Sequence, residues 1–182
     1  MTGSKLTMHK LCQICIFTAV MVASVLIPPI PLPGGVPMTL QTLVIALAGL
    51  VLGPKHGAMA TVTYVLLGAV GLPVFAGFRG GIGIILGYTG GFILSFPLLA
   101  LLAGLGERTG KISWTYAGLV AGMLLNLTIG MLYYSRVAST SIPVAFFAVV
   151  APFIPISALE VALLPPISKG IKTALTRARV RI

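Results

Sequence analysis

The chain has 182 residues, of which 58% are hydrophobic and only 8% charged, with a formal net charge of +10. A water-soluble domain carries roughly 25% charged residues, so there is too little polar surface here to coat a globule in water, and lipid must solvate most of the chain. The positive charge does not point to nucleic acid, because the basic residues flank apolar segments, which is the usual signal of membrane topology.

Six apolar segments follow in order, near 11–27, 38–54, 57–76, 83–105, 113–134 and 144–168. Each is long enough, or nearly so, to cross an apolar core of about 30 Å at about 1.5 Å per residue. The first follows Lys5 and Lys10. It is long for a signal-peptide core, and Val22-Ala23-Ser24 is a poor cleavage site, so it reads as a retained span. Cys12 and Cys15 lie in it. A CxxC can be redox-active or half a metal site, but without a second pair or a nearby ligand the two read as small hydrophobes in a helix. No metal or cofactor is expected.

The third segment is short if it stops at Gly71. The sixth is interrupted by Pro152 and Pro155, so its first part reads as a short helix or loop, with the span itself starting near Ile156. Pro165 and Pro166 would kink that span or end its regular part. Six crossings put both termini on one side. That side then holds Lys5, Lys10, Lys55, Arg108, Lys111, Lys169, Lys172, Arg177, Arg179 and Arg181, whereas Arg79 and Arg136 lie on the other. The asymmetry predicts a multi-pass protein of the cytoplasmic membrane with both termini in the cytoplasm. Trp114 and Tyr116 then fall near the inner interface, where aromatic residues anchor spans. The expected architecture is a single all-α membrane domain over 1–182.

Glycines concentrate between Gly77 and Gly91, seven in fifteen residues. Gly83, Gly87, Gly91 and Ser95 recur every fourth position, as do Gly118, Gly122, Asn126 and Gly130. That spacing lets two helix backbones approach closely. Gly77, Gly80, Gly81 and Gly90 fall outside the repeat. The GxxxxGK[ST] phosphate pattern is absent. These glycines therefore suggest a loop whose bare backbone folds onto a small molecule. Arg79 beside them is either a solvated loop residue or an attractor for an anionic solute. Gln41, Tyr64, Tyr88, Thr89 and Asn126 add polar groups to apolar segments. Singly, each could be an interhelical hydrogen bond; together they suggest an outward cavity with a few placed polar groups. Glu160, one of two acids in the chain, is costly within a span and marks a functional site unless it pairs with Arg79 or Arg136.

Several of these residues sit in long ordered motifs. They are Pro37-Met38-Thr39-Leu40-Gln41, Leu52-Gly53-Pro54-Lys55-His56-Gly57, Tyr64, Gly71-Leu72-Pro73-Val74-Phe75, Gly80-Gly81, Thr89-Gly90-Gly91-Phe92 and Pro152-Phe153-Ile154-Pro155. Over roughly 27–165 the chain resembles the BioY family, the biotin-binding S components of energy-coupling factor transporters. The resemblance implies a six-helix bundle whose long first loop and third loop close over a biotin pocket on the outer side. It implies no enzymatic activity. It also implies uptake together with a transmembrane T component and two cytoplasmic ATPase subunits, with Ala19 and Ala23 matching the AxxxA contact for the T component. From the residues alone, that pair is also an ordinary small-residue seam. Taken together, the residues and the resemblance give a candidate ligand set of Thr39, Gln41, Tyr64, Arg79, Gly80, Gly81, Tyr88, Thr89, Gly90, Gly91, Asn126, Ser157 and Glu160.

Two departures stand out. Tyr88 replaces the proline of the family's GPTGG. In the family's PFxPGDxxK, Ser157 takes the place of the aspartate, which looks like a ligand for the ureido ring, and Glu160 that of the lysine. Spaced three apart, Ser157 and Glu160 share a helix face, so a carboxylate has moved by one turn. An S component for another small vitamin-like solute and a solitary slow biotin transporter are the alternative readings. A membrane enzyme would need a nucleophile–base pair near Glu160, and a purely structural protein would leave the polar groups unexplained.

Overall fold

The computed structural model describes residues 8–177, which are helical with irregular connections and contain no strands beyond two isolated bridges. The helices are α1 (Met8–Ala23), α2 (Gln41–Ala69), α3 (Ile82–Ile85), α4 (Gly90–Arg108), α5 (Ile112–Val137), α6 (Ile142–Val149) and α7 (Ile154–Arg177). Five helical segments are long and apolar enough to cross a membrane: 8–26, 41–69, 90–108, 112–137 and 142–177. Lys5, Arg179 and Arg181 lie outside the described residues.

The 41–69 segment is not straight. Gly53 has φ 79° and ψ 174°, a conformation essentially reserved for glycine, and Pro54 follows. A Cβ on Gly57 would approach Cα of Gly49 to 2.7 Å. The Gln41 amide donates to the Tyr64 hydroxyl, 23 residues on, whereas a straight helix would separate the two by about 34 Å. The chain therefore doubles back at Gly53-Pro54, and 41–52 and 54–69 are antiparallel arms. Gly104 of α4 seats the turn, since its Cβ would meet Cα of Pro54 at 2.6 Å.

α4 packs against both α2 and α5 at the centre of the bundle. Its contact with α5 is antiparallel and made of small residues: a Cβ on Gly118 would meet Cα of Gly106 at 2.8 Å, one on Gly122 the Leu99 carbonyl at 3.0 Å, and one on Gly91 the Ile129 carbonyl at 2.9 Å. Gly91, Ser95, Gly118, Gly122, Asn126 and Gly130 thus lie in the expected seam. Gly83 does not. It falls in α3, separated from α4 by residues 86–89, and has no neighbour within 4 Å of its Cβ position. Glycine is a poor helix former, and the glycine-rich stretch 77–91 breaks the helix expected to begin near 83. α7 begins at Ile154, after α6 and a short 3-10 turn, and continues through Pro165 and Pro166 to Arg177.

Two connections fold back on themselves at one end. The first is closed by Ile30 and Met38, which exchange hydrogen bonds of 2.9 Å in both directions. The second is closed by Phe75 and Arg79, with Gly77 and Phe78 at φ 72° and 57°.

Candidate functional site

The two connections meet α2, α4, α5 and α7 around an internal cavity. It offers about 60 Å³ to water-sized spheres, several times the roughly 10–15 Å³ that one water needs. Its walls are largely aromatic and aliphatic: Phe75, Phe92, Phe96, Phe153, Ile93, Leu99 and Met123. Phe92 and Phe153 are stacked, with centroids 6.1 Å apart and planes 25° apart.

The polar groups are few, and their roles are set by their partners. Glu160 is 2% exposed and accepts a 2.9 Å hydrogen bond from the Thr42 hydroxyl on Oε1, which leaves Oε2 available. Among the described residues it has no ion pair, with Arg79, Arg136 or any other cation. Asn126 donates from Nδ2 to the Phe92 carbonyl at 3.0 Å and to Ser95 Oγ at 2.7 Å. A carbonyl partner requires the nitrogen, so Oδ1 is the acceptor that Asn126 has left to offer. On the other wall a directed chain runs from Thr39 to Gln41, from Gln41 to Tyr64, and from Tyr64 to the Val74 carbonyl at 2.7 Å. The Ser157 hydroxyl has no partner among the described residues. Arg79 reaches in from the second connection, its Nε donating to the Ala76 carbonyl at 3.3 Å.

Thr39, Gln41, Arg79, Thr89, Asn126, Ser157 and Glu160 therefore line one cavity. Tyr64 does not line it; it is fully buried behind Gln41, edge-on to Phe75, and orients both. Tyr88 is 49% exposed and packs on Tyr134. Gly80, Gly81, Gly90 and Gly91 are also absent from the lining. A Cβ on Gly80 would overlap the Leu72 carbonyl, one on Gly90 the Ile85 carbonyl, and one on Gly91 the Tyr133 side chain. Gly81, at φ 97°, has open space around its Cβ position, and its N–H donates to the Gly68 carbonyl at 2.7 Å. These glycines shape the connection and the seam instead of meeting the cavity.

Sequence reading missed Thr42 and the aromatic walls. Thr42 follows Gln41 directly, and Phe153 lies inside the quoted Pro-Phe-Ile-Pro motif, so both were within reach; Phe96 and Met123 carry no local signal. Ala19 and Ala23 are exposed on α1, away from the cavity. Cys12 and Cys15 are exposed and unbonded on the same helix. No cluster of three metal-ligating side chains occurs among the described residues.

A model described as the BioY family matches residues 1–177. The chain is 47% identical over 121 residues to the probable biotin transporter BioY of Pyrococcus horikoshii, covering 66% of this chain and 71% of that protein. It is 45% identical over 125 residues to the biotin transporter BioY of Thermotoga maritima, covering 68% and 73% of the two chains. With the biotin transporter BioY of Rhizobium etli the identity is 37% over 163 residues, covering 82% and 87%. The fold is shared with a crystal structure of the S-component for biotin from an ECF-type ABC transporter, with TM-score 0.83, 23% identity and 95% of each chain covered.

Proposed function

Because this chain belongs to the BioY family, we propose that it is a non-enzymatic biotin transporter, the substrate-binding S component of an energy-coupling factor system in the cytoplasmic membrane. The observation that carries the reading is the cavity: apolar walls with two buried acceptors, Glu160 and Asn126, neither paired with a cation among the described residues. The ureido ring of biotin offers two N–H donors, and its bicyclic body is apolar. Such a ligand satisfies acceptors that would otherwise be costly to bury. Glu160, helped by Ser157, accepts from the ureido N–H groups. A carboxylate there would repel the valerate carboxylate of biotin, which Arg79 suits better.

The reversal at Gly53-Pro54 supports counting 41–52 and 54–69 as separate crossings, which makes six in one membrane-embedded unit with both termini on one side; the Lys and Arg asymmetry supports the cytoplasmic side. The connections closed by Ile30–Met38 and Phe75–Arg79, the first and third loops of that topology, then cap the pocket on its outer side. Ala19 and Ala23, exposed on α1, form the contact for a T component, which acts with two cytoplasmic ATPase subunits.

Calorimetric titration of the purified protein with biotin, and with other vitamins as controls, tests the ligand. Saturable one-to-one binding of biotin alone is expected. Preference for another vitamin would transfer the chain to a different substrate within the same architecture.

A further inference from the structure

α7 meets the bundle through the buried residues Glu160, Leu164, Pro165 and Ser168, flanked by the partly buried Val161, Ile171 and Leu175. Of these, Glu160, Leu164 and Ser168 recur every fourth position, and Lys172 continues the series. The two ends of this series are charged and of opposite sign; the middle is apolar or small. The outer end is tied to α2 by the Thr42–Glu160 hydrogen bond of 2.9 Å. The inner end is tied to α4 by Lys172 Nζ and Glu107 Oε1 at 2.7 Å, and the other oxygen of Glu107 accepts from Thr115 of α5 at 2.7 Å. Between the ties lie Pro165 and Pro166, which remove two helical hydrogen bonds; Ser168 Oγ donates to the Pro165 carbonyl at 2.9 Å. Leu164 and Ser168 are almost wholly buried there. Beside the inner tie lies an open cleft of about 400 Å³, lined by Lys172, Thr176, the Gly53-Pro54 turn and the end of α4.

We propose that α7 is a lever: it pivots on Leu164, Pro165 and Ser168, and links occupancy of the outer cavity to the state of the Glu107–Lys172–Thr115 tie at the opposite end. With four buried residues in 24, against eleven in the 19 of α4, α7 has less buried area opposing a small rotation than the central helices, and the cleft gives its inner end space to move. A ligand that draws Glu160 away from Thr42 changes the load on the outer tie and displaces the inner end. Binding free energies are reciprocal, so the inner tie in turn sets ligand affinity. The identity of that ligand rests on the biotin reading; the mechanical link between the two ties does not.

The test therefore has a ligand-free arm. Thr42→Val in the full chain, in lipid nanodiscs without biotin, is expected to speed amide exchange over residues 167–177 at least fivefold while leaving the α4–α5 seam unchanged; Thr42→Ser keeps the hydroxyl and should match the parent. Lys172→Met is the reciprocal variant, expected to speed exchange over 154–160 and to shift the biotin Kd at least fivefold from outside the cavity. Lys172→Arg retains the ion pair and should restore both. Exchange within twofold of the parent at the far end in both Thr42→Val and Lys172→Met overturns the lever. Failure of the unaltered protein to bind biotin overturns the substrate instead, and the ligand-free exchange data still decide the lever.

Discussion

At the scale of single residues, the weight of the site falls on Glu160. Among the described residues it is a carboxylate with no cation partner, held by one hydroxyl inside an apolar wall. Glu160→Gln keeps the shape and removes the charge. A hydrogen bond to a charged group contributes about 1.5–3 kcal/mol, so biotin affinity should fall about ten- to a hundredfold at about 1.4 kcal/mol per decade. Calorimetric titration checks this, and an unchanged Kd together with a lower melting temperature would return Glu160 to a structural role. Glu160→Asp combined with Ser157→Asp restores a carboxylate at the family position and should recover much of the affinity. The glycines lie outside the cavity lining. Gly90 faces the Ile85 carbonyl, so Gly90→Val should cost about 1–3 kcal/mol of stability through overpacking. Melting of the ligand-free protein should reveal that loss; a selective loss of affinity at normal melting temperature would place Gly90 against the ligand after all.

At the scale of elements, the reversal inside α2 is the feature to probe. Gly53 combines φ 79° with ψ 174°, and a side chain there is strained even though the space is open. Gly53→Ala should therefore destabilise the ligand-free protein by about 1–3 kcal/mol, measured as a lower melting temperature. An unperturbed transition would mean that the two arms are not joined by this turn. α1 offers a contrasting case, because Ala19 and Ala23 are exposed and distant from the cavity. Replacing both with Leu should abolish uptake in cells while biotin binding in detergent stays within about twofold, as expected where a small-residue seam lets helices approach closely. A parallel fall in binding would assign the pair to the fold.

At the scale of the whole molecule, topology follows from the reversal. If 41–69 crossed once, Lys55 would lie at membrane depth; as a hairpin it sits at a tip seated on α4 beside Gly104. In a background of Cys12→Ser and Cys15→Ser, a membrane-impermeant maleimide should label Phe78→Cys in intact cells, but Lys55→Cys only after the membrane is opened. Phe78 is exposed at the bend of the second connection, and labelling of both positions from outside would reject six crossings.

The solvent, the helical class and most of the polar inventory are legible in the amino-acid order, because these depend on composition and local spacing. A chain with 8% charged residues must sit in lipid. Small residues every fourth position must share a helix face, as Gly118, Gly122, Asn126 and Gly130 do against α4. An acid in a span such as Glu160 is costly wherever it lies, and so draws attention from the sequence alone. Which neighbours those residues meet is set by the packing of the helices in three dimensions. Spacing says that Gly91 is small and on a face, but not that the Ile129 carbonyl occupies the space beside it. Nor does it say that Tyr64 stands behind Gln41 instead of lining the cavity, or that Thr42 is the partner of Glu160, 118 positions away. Contacts of that range depend on how the arms of α2 fold back and how α7 lies across them, and no local pattern encodes that register.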